Sequence, residues 1–103
     1  MTQDTTNNQK QNGGSVSIKD DVSFGIMVVD DEQDILGIVR KYLQKWNFEV
    51  DAFSDPFIAL EQFKSRRDYY RLLLTDMRMP GMTGVELASK IIDLKPGINV
   101  VLM

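Results

Sequence analysis

The chain has 103 residues and a net charge of −3, room for one small domain and no excess of positive charge for holding nucleic acid. It contains no cysteine and no histidine, which excludes disulfides, thiolate metal sites and imidazole chemistry and suits a cytoplasmic protein. Its longest apolar runs are about six residues against the roughly 20 that a membrane helix needs, and no signal-peptide core opens the chain.

Residues 1–23 are rich in Gln, Asn, Thr, Ser and Gly. They offer too little apolar surface to offset the entropy of ordering, and they read as a disordered polar tail. Phe24–Val29 is continuously apolar, as in a strand covered on both faces. Ile35, Ile38, Val39, Tyr42, Leu43 and Trp46 then recur at helical spacing. That predicts a first helix from about Glu32 to Lys45, with the whole stripe, Trp46 included, in the core. Phe48–Phe53 alternates as a short strand near a sheet edge does. Asp55-Pro56 predicts a helix start, with Asp as N-cap and Pro at the first helical position; Ala59, Leu60 and Phe63 form its apolar stripe. Arg71–Thr75 is the third strand. Thr83-Gly84-Val85-Glu86 has the form of a capping box, so a third helix starts there. It is expected to turn Val85, Ala88, Ile91 and Ile92 inward and to stop at Pro96-Gly97. Ile98–Met103 is the fourth strand.

Strands alternating with helices predict an α/β fold: a parallel sheet with right-handed crossovers and helices on both faces. In the flavodoxin-like order the first and third strands lie side by side, at the switch point where ligands bind. Those strands end in Asp30-Asp31 and in Asp76. Three carboxylates meeting at one sheet end repel unless a cation sits among them. Magnesium suits such a set, since it takes one or two carboxylates, a carbonyl and several waters. Asp76 is then free to attack phosphorus and form an aspartyl phosphate.

Singly, these residues have plainer readings. Asp30-Asp31 serves equally as a solvated loop or helix cap, and Asp76 as a turn residue before Met79-Pro80-Gly81-Met82. Met77, Met79 and Met82 read as packing residues. Lys64, Arg66 and Arg67 read as a solvated face, and Arg78 as an exposed cation. Their coincidence is what favours a site.

Val28-Val29-Asp30-Asp31-Glu32, the string Leu74-Thr75-Asp76-Met77-Arg78-Met79-Pro80-Gly81-Met82-Thr83-Gly84, and Val100-Val101-Leu102-Met103 resemble the receiver domain of two-component response regulators. The resemblance covers about residues 24–103. It implies a flavodoxin-like fold of five strands and five helices, three-layered, with strand order 2-1-3-4 in this chain. It implies a phospho-acceptor at Asp76 and a Mg2+ site made by Asp30, Asp31, Asp76 and the backbone carbonyl of Arg78, with Asp31 favoured over Asp30 as direct ligand. The implied donor is a histidine kinase or phosphotransfer protein, and the implied role is phosphorelay signalling. The chain is then not an enzyme beyond its own phosphorylation. The family places a Ser or Thr hydroxyl directly after the fourth strand and a Lys at the end of the fifth. Both positions lie beyond Met103, so the domain is expected to be C-terminally truncated, lacking its last βα units. Lys90 and Lys95, on the third helix, do not replace that lysine. One alternative is a degenerate or truncated receiver that acts only as a protein-binding module. Another is an Asp-nucleophile phosphatase, a class with an Asp two positions after its nucleophile. Here Arg78 stands two after Asp76, and Glu32 two after Asp30. No nucleic-acid or membrane partner is expected through this chain, whereas self-association through the fourth strand is.

Overall fold

Seven elements alternate in the computed structural model of the chain, which describes residues 24–103; the polar tail read over residues 1–23 lies outside that range. They are β1 (Gly25–Val29), α1 (Gln33–Lys45), β2 (Glu49–Phe53), α2 (Pro56–Ser65), β3 (Tyr70–Thr75), α3 (Gly84–Leu94) and β4 (Asn99–Leu102). Each lies within about a residue of its sequence expectation. The strands form one parallel sheet in the order β2-β1-β3-β4. That is the expected flavodoxin-like order 2-1-3-4.

Register then positions the strand ends. In the β1–β3 pair Val29 stands opposite Thr75. The amide of Asp76 donates to the Val29 carbonyl at 2.9 Å, and the amide of Asp30 donates to the Phe53 carbonyl at 3.1 Å. Asp30 and Asp76 therefore leave the sheet at the same level, on neighbouring strands.

The helix ends follow their chemistry. The Asp55 carboxylate accepts from the Phe57 amide at 2.8 Å, with Pro56 at the first helical position. Thr83 and Glu86 make both bonds of the capping box, at 3.1 and 2.9 Å. The stop of α1 falls at Lys45, as expected. Asn47 takes a left-handed conformation, φ 68°, which Asn tolerates better than most residues. Its amide donates to Gln44 O and that of Phe48 to Leu43 O, the two bonds of a Schellman-type termination.

Most of the core lies under α2 and α3. Met27, Val29, Leu60, Phe63, Tyr70, Leu73, Met79, Met82, Leu87 and Ile91 pack there. Among the described residues α1 lies alone on the other face, where only Ile26, Val28 and Leu36 are buried. This corrects the expectation for the first helix. Ile35, Ile38, Tyr42 and Trp46 are exposed, Trp46 by 63%, while Leu36 is buried and Val39 and Leu43 are half-buried. A single helix on a four-stranded sheet buries one narrow stripe, and the apolar residues on its flanks find no second helix to meet among the described residues. The stripe of α3 also needs correction. Val85 and Ile92 are exposed, and the inner face is Gly84, Leu87, Ala88 and Ile91. Ala88 and Ile91 face inward as expected, but Gly84 and Leu87 join them in place of Val85 and Ile92, a choice that periodicity alone did not make. Met79 and Met82 are buried as expected, but Met77 is exposed.

A polar network closes the opposite end of the sheet. The buried Tyr70 hydroxyl donates to Asp51 and the Tyr69 hydroxyl to Glu49. The Arg66 guanidinium lies 3.8 Å above the Tyr69 ring centre. Burial, and then the bond to Glu49, push the Tyr69 hydroxyl up to about 12. Lys95 donates to the carbonyls of Arg67 and Tyr70. It is thus committed at the start of β3, the end remote from Asp76.

Candidate functional site

The parallel pairing of β1 with β3 brings the three sequence-predicted carboxylates together. One ligand oxygen from each of Asp30, Asp31 and Asp76 lies within 4.8 Å of the others. Their environments differ. Asp30 is 4% exposed, Asp76 is half-buried, and Asp31 is open to solvent. Side chains of adjacent residues leave an extended strand in opposite directions, so the chain must turn after Asp30 for both to reach the site. It does so at the start of α1, where Asp30 Oδ1 accepts from the Glu32 amide at 2.9 Å. Asp76 Oδ1 accepts from the Met77 amide at 2.9 Å. Among the described residues, no other hydrogen bond reaches either carboxylate.

The charges are unbalanced. The Asp30 carboxyl is raised above its ordinary value, chiefly by burial and further by Asp76 and Asp31, while the bond from Glu32 opposes the shift. Among the described residues no cation acts on it. A buried carboxylate with two anionic neighbours and an oxygen free of protein donors fits a divalent cation. The Arg78 carbonyl accepts no hydrogen bond among the described residues, so it too is free to act as a ligand. The Arg78 side chain is exposed.

The loop from Met77 to Thr83 is pinned under this cluster. Met79 and Met82 insert into the core, and Gly81, at φ +83°, makes the turn between them. Phe57 covers Gly81 from α2. Sequence reasoning missed two contributors. Thr75, wholly buried, donates its hydroxyl to the Asp76 carbonyl at 3.0 Å. Gly84 lies directly against that same carbonyl. A Thr at the last position of a covered strand was the available signal for the first. The second needed coordinates.

The raised Asp30 carboxyl carries an expectation for the metal-free protein. Its folded form holds a proton more tightly than its unfolded form. The stability this contributes is full at pH below the unfolded value and is lost as pH rises through the folded one. Asp30→Asn removes the buried charge and keeps an oxygen for the Glu32 amide. At neutral pH the variant is expected to melt higher than wild type, and the gap should close as the buffer is acidified. Circular-dichroism melts across that range in chelator-treated buffer check this, and an Asn variant that melts lower at neutral pH contradicts it.

Comparison with known proteins gives a consistent picture. The family model described as the response regulator receiver domain matches residues 26–103. The two-component response regulator ARR14 of Arabidopsis thaliana is 35% identical over 78 residues, 76% of this chain and 20% of that protein. The transcriptional regulatory protein ResD of Bacillus subtilis is 36% identical over 70 residues, 68% of this chain and 28% of that protein. A crystal structure of a response regulator receiver domain protein from Clostridium thermocellum aligns with a TM-score of 0.74 at 28% identity, covering 77% of this chain and 63% of that one. The chain spans less than a third of the length of the curated relatives it matches.

Proposed function

The chain belongs to the response regulator receiver domain family, and we propose that it takes a phosphoryl group onto Asp76 in two-component signalling. The observation that carries this reading is the Asp76 carboxylate at the end of β3. It has one oxygen held by the Met77 amide and faces the Asp30–Asp31 pair. The free oxygen attacks phosphorus, and the new O–P bond forms as the bond from phosphorus to the donor breaks. With a phosphohistidine donor the leaving imidazole nitrogen takes up a proton. The carboxylates of Asp30, Asp31 and Asp76 and the carbonyl of Arg78 are the groups that would hold Mg2+. Bound there, the ion would offset charge on the phosphoryl oxygens and on the attacking carboxylate.

The donor is a histidine kinase or phosphotransfer protein, and the setting is cytoplasmic. Among the described residues, no helix is long and apolar enough to cross a membrane. The module turns over no external substrate; its only chemistry is on itself. The test is incubation with acetyl phosphate and Mg2+, followed by intact mass and peptide mapping. One phosphoryl group gained at Asp76 is the expected result. Labelling at another residue, or none, refutes the reading.

The partner proposed for the β4 edge is a second copy of the chain. Among the described residues β4 borders the sheet, with Val101, Leu102 and Met103 exposed and no charged residue in the strand. The other edge, β2, is guarded by Glu49 and Asp51. An uncharged apolar edge is self-complementary, and two copies pair antiparallel about a two-fold axis. Sedimentation velocity at micromolar concentration should show a dimer, and Val101→Lys should convert it to monomer. A monomeric wild type counts against the pairing.

A further inference from the structure

We propose that Gly84, the first residue of α3, is a positioning residue for the acceptor: its missing side chain lets the helix clamp the Asp76 backbone. This rests on the reading of Asp76 as phospho-acceptor. A β-carbon built on Gly84 would overlap the Asp76 carbonyl oxygen outright. It would also stand 2.9 Å from the Asp76 carbonyl carbon and 3.0 Å from Met77 Cα. All three obstacles are backbone, so no side chain can rotate away.

The contact belongs to a set that holds the acceptor from every side. The Asp76 amide donates to Val29 O at 2.9 Å, fixing it to β1. Thr75 Oγ1 donates to Asp76 O at 3.0 Å. The Gly84 amide donates to Met77 O at 2.9 Å, so the helix grips the residue after the acceptor as well as the acceptor itself. The Met77 amide in turn holds Asp76 Oδ1. The direction of the free oxygen and the placement of the Arg78 carbonyl thus depend on how closely α3 approaches. The capping box at Thr83 and Glu86 fixes where the helix begins, and burial of Leu87 and Ala88 holds it down. Gly84 is therefore pressed onto Asp76 by a helix that has no freedom to lift. A methyl group there moves the acceptor by on the order of 1 Å, a misplacement that costs about 10²-fold in rate.

Loss of labelling through general destabilisation must be told apart from loss through misplacement, and two other glycines allow it. Gly37, inside α1, has open space where a β-carbon would go. Gly37→Ala should raise the melting temperature, since Ala outranks Gly within a helix. Gly97, at φ +95°, lies beyond α3 on the far side from the aspartates. Gly97→Ala should lower the melting temperature through strain alone. The measurements are phosphoryl gain from saturating acetyl phosphate and Mg2+, Mg2+-induced amide shifts at Asp31, Met77 and Arg78, and thermal melts. The double variant Gly37→Ala/Gly84→Ala is expected to label about 100-fold slower than wild type, with smaller Mg2+ shifts at Met77 and Arg78. Gly97→Ala should label within about twofold of wild type. Thr75→Val, which keeps shape and removes the second hold on the same carbonyl, should slow labelling several-fold and covers the case in which the Gly84 variant does not fold. A wild-type labelling rate in the folded double variant would overturn the proposal, as would an equal loss in Gly97→Ala; where the double variant does not fold, a wild-type rate in Thr75→Val overturns it. A wild type that takes up no phosphoryl group would refute the acceptor reading instead. Gly84 is then judged on the Mg2+ shifts alone, and unchanged shifts in the double variant would overturn its role.

Discussion

Asp76→Asn is expected to abolish phosphoryl uptake while leaving the fold intact. An amide oxygen is a poor nucleophile toward phosphorus, and losing an attacking group outright costs on the order of 10⁴–10⁶ in rate. Among the described residues, neither neighbouring carboxylate is placed to substitute. Asp30 is buried with one oxygen held by the Glu32 amide, and Asp31 is exposed on a different strand end. Packing around position 76 should survive, because the backbone bonds to Val29 O and from Thr75 Oγ1 do not involve the carboxylate. Removing one of three clustered charges should also relieve repulsion on Asp30, so the metal-free variant should melt no lower than wild type. Intact mass after acetyl phosphate treatment, read beside a melt, checks both halves. Label that persists in Asp76→Asn sinks the acceptor assignment, and a large drop in melting temperature would mean the aspartate is structural.

The largest stability effect is expected at Phe63→Ala. Phe63 is fully buried, with its ring stacked 5.7 Å from that of Tyr70. Truncating such a residue costs about 3–5 kcal/mol, and a core of this size rarely supplies more than roughly 3–5 kcal/mol in total. The variant should therefore be largely unfolded at room temperature. Trp46→Ala removes a larger ring yet should cost within about 0.5 kcal/mol, because Trp46 stands mostly in solvent. Urea titrations followed by circular dichroism give the comparison without relying on the tryptophan signal. The reverse ordering would mean that the face around α1 is covered in solution.

Trp46 also marks where sequence reasoning stopped. Element order, strand order and both side-chain caps were legible, because they depend on local chemistry: apolar runs, Asp55 before Pro56, Thr83 three residues before Glu86. The meeting of Asp30, Asp31 and Asp76 was legible as well, since parallel strands joined by crossover helices place their ends together. Burial on the flanks of helices was not. Ile38 and Tyr42 satisfy the helical period as well as Leu36 does, and only the number of helices on that face decides which are covered. Val85 and Leu87 posed the same ambiguity on α3. Gly84 was read as part of a helix start, which it is; its contact with Asp76 spans the loop and leaves no local trace.

The pairing of Val29 with Thr75 also governs which changes in chain length the site tolerates. Deleting one residue within β3 draws Asp76 back by about 3.3 Å and turns its side chain to the other face of the sheet, away from Asp30. Residues added in the turns between β1 and β3 that leave every helix and strand whole only lengthen a closed loop, at roughly 0.6 kcal/mol per doubling of its length. Insertions and deletions should therefore be filtered sharply within the six residues of β3 and loosely across the connecting segments. The distance from Asp31 to Asp76 along the chain is free to drift, while the length of one strand is not.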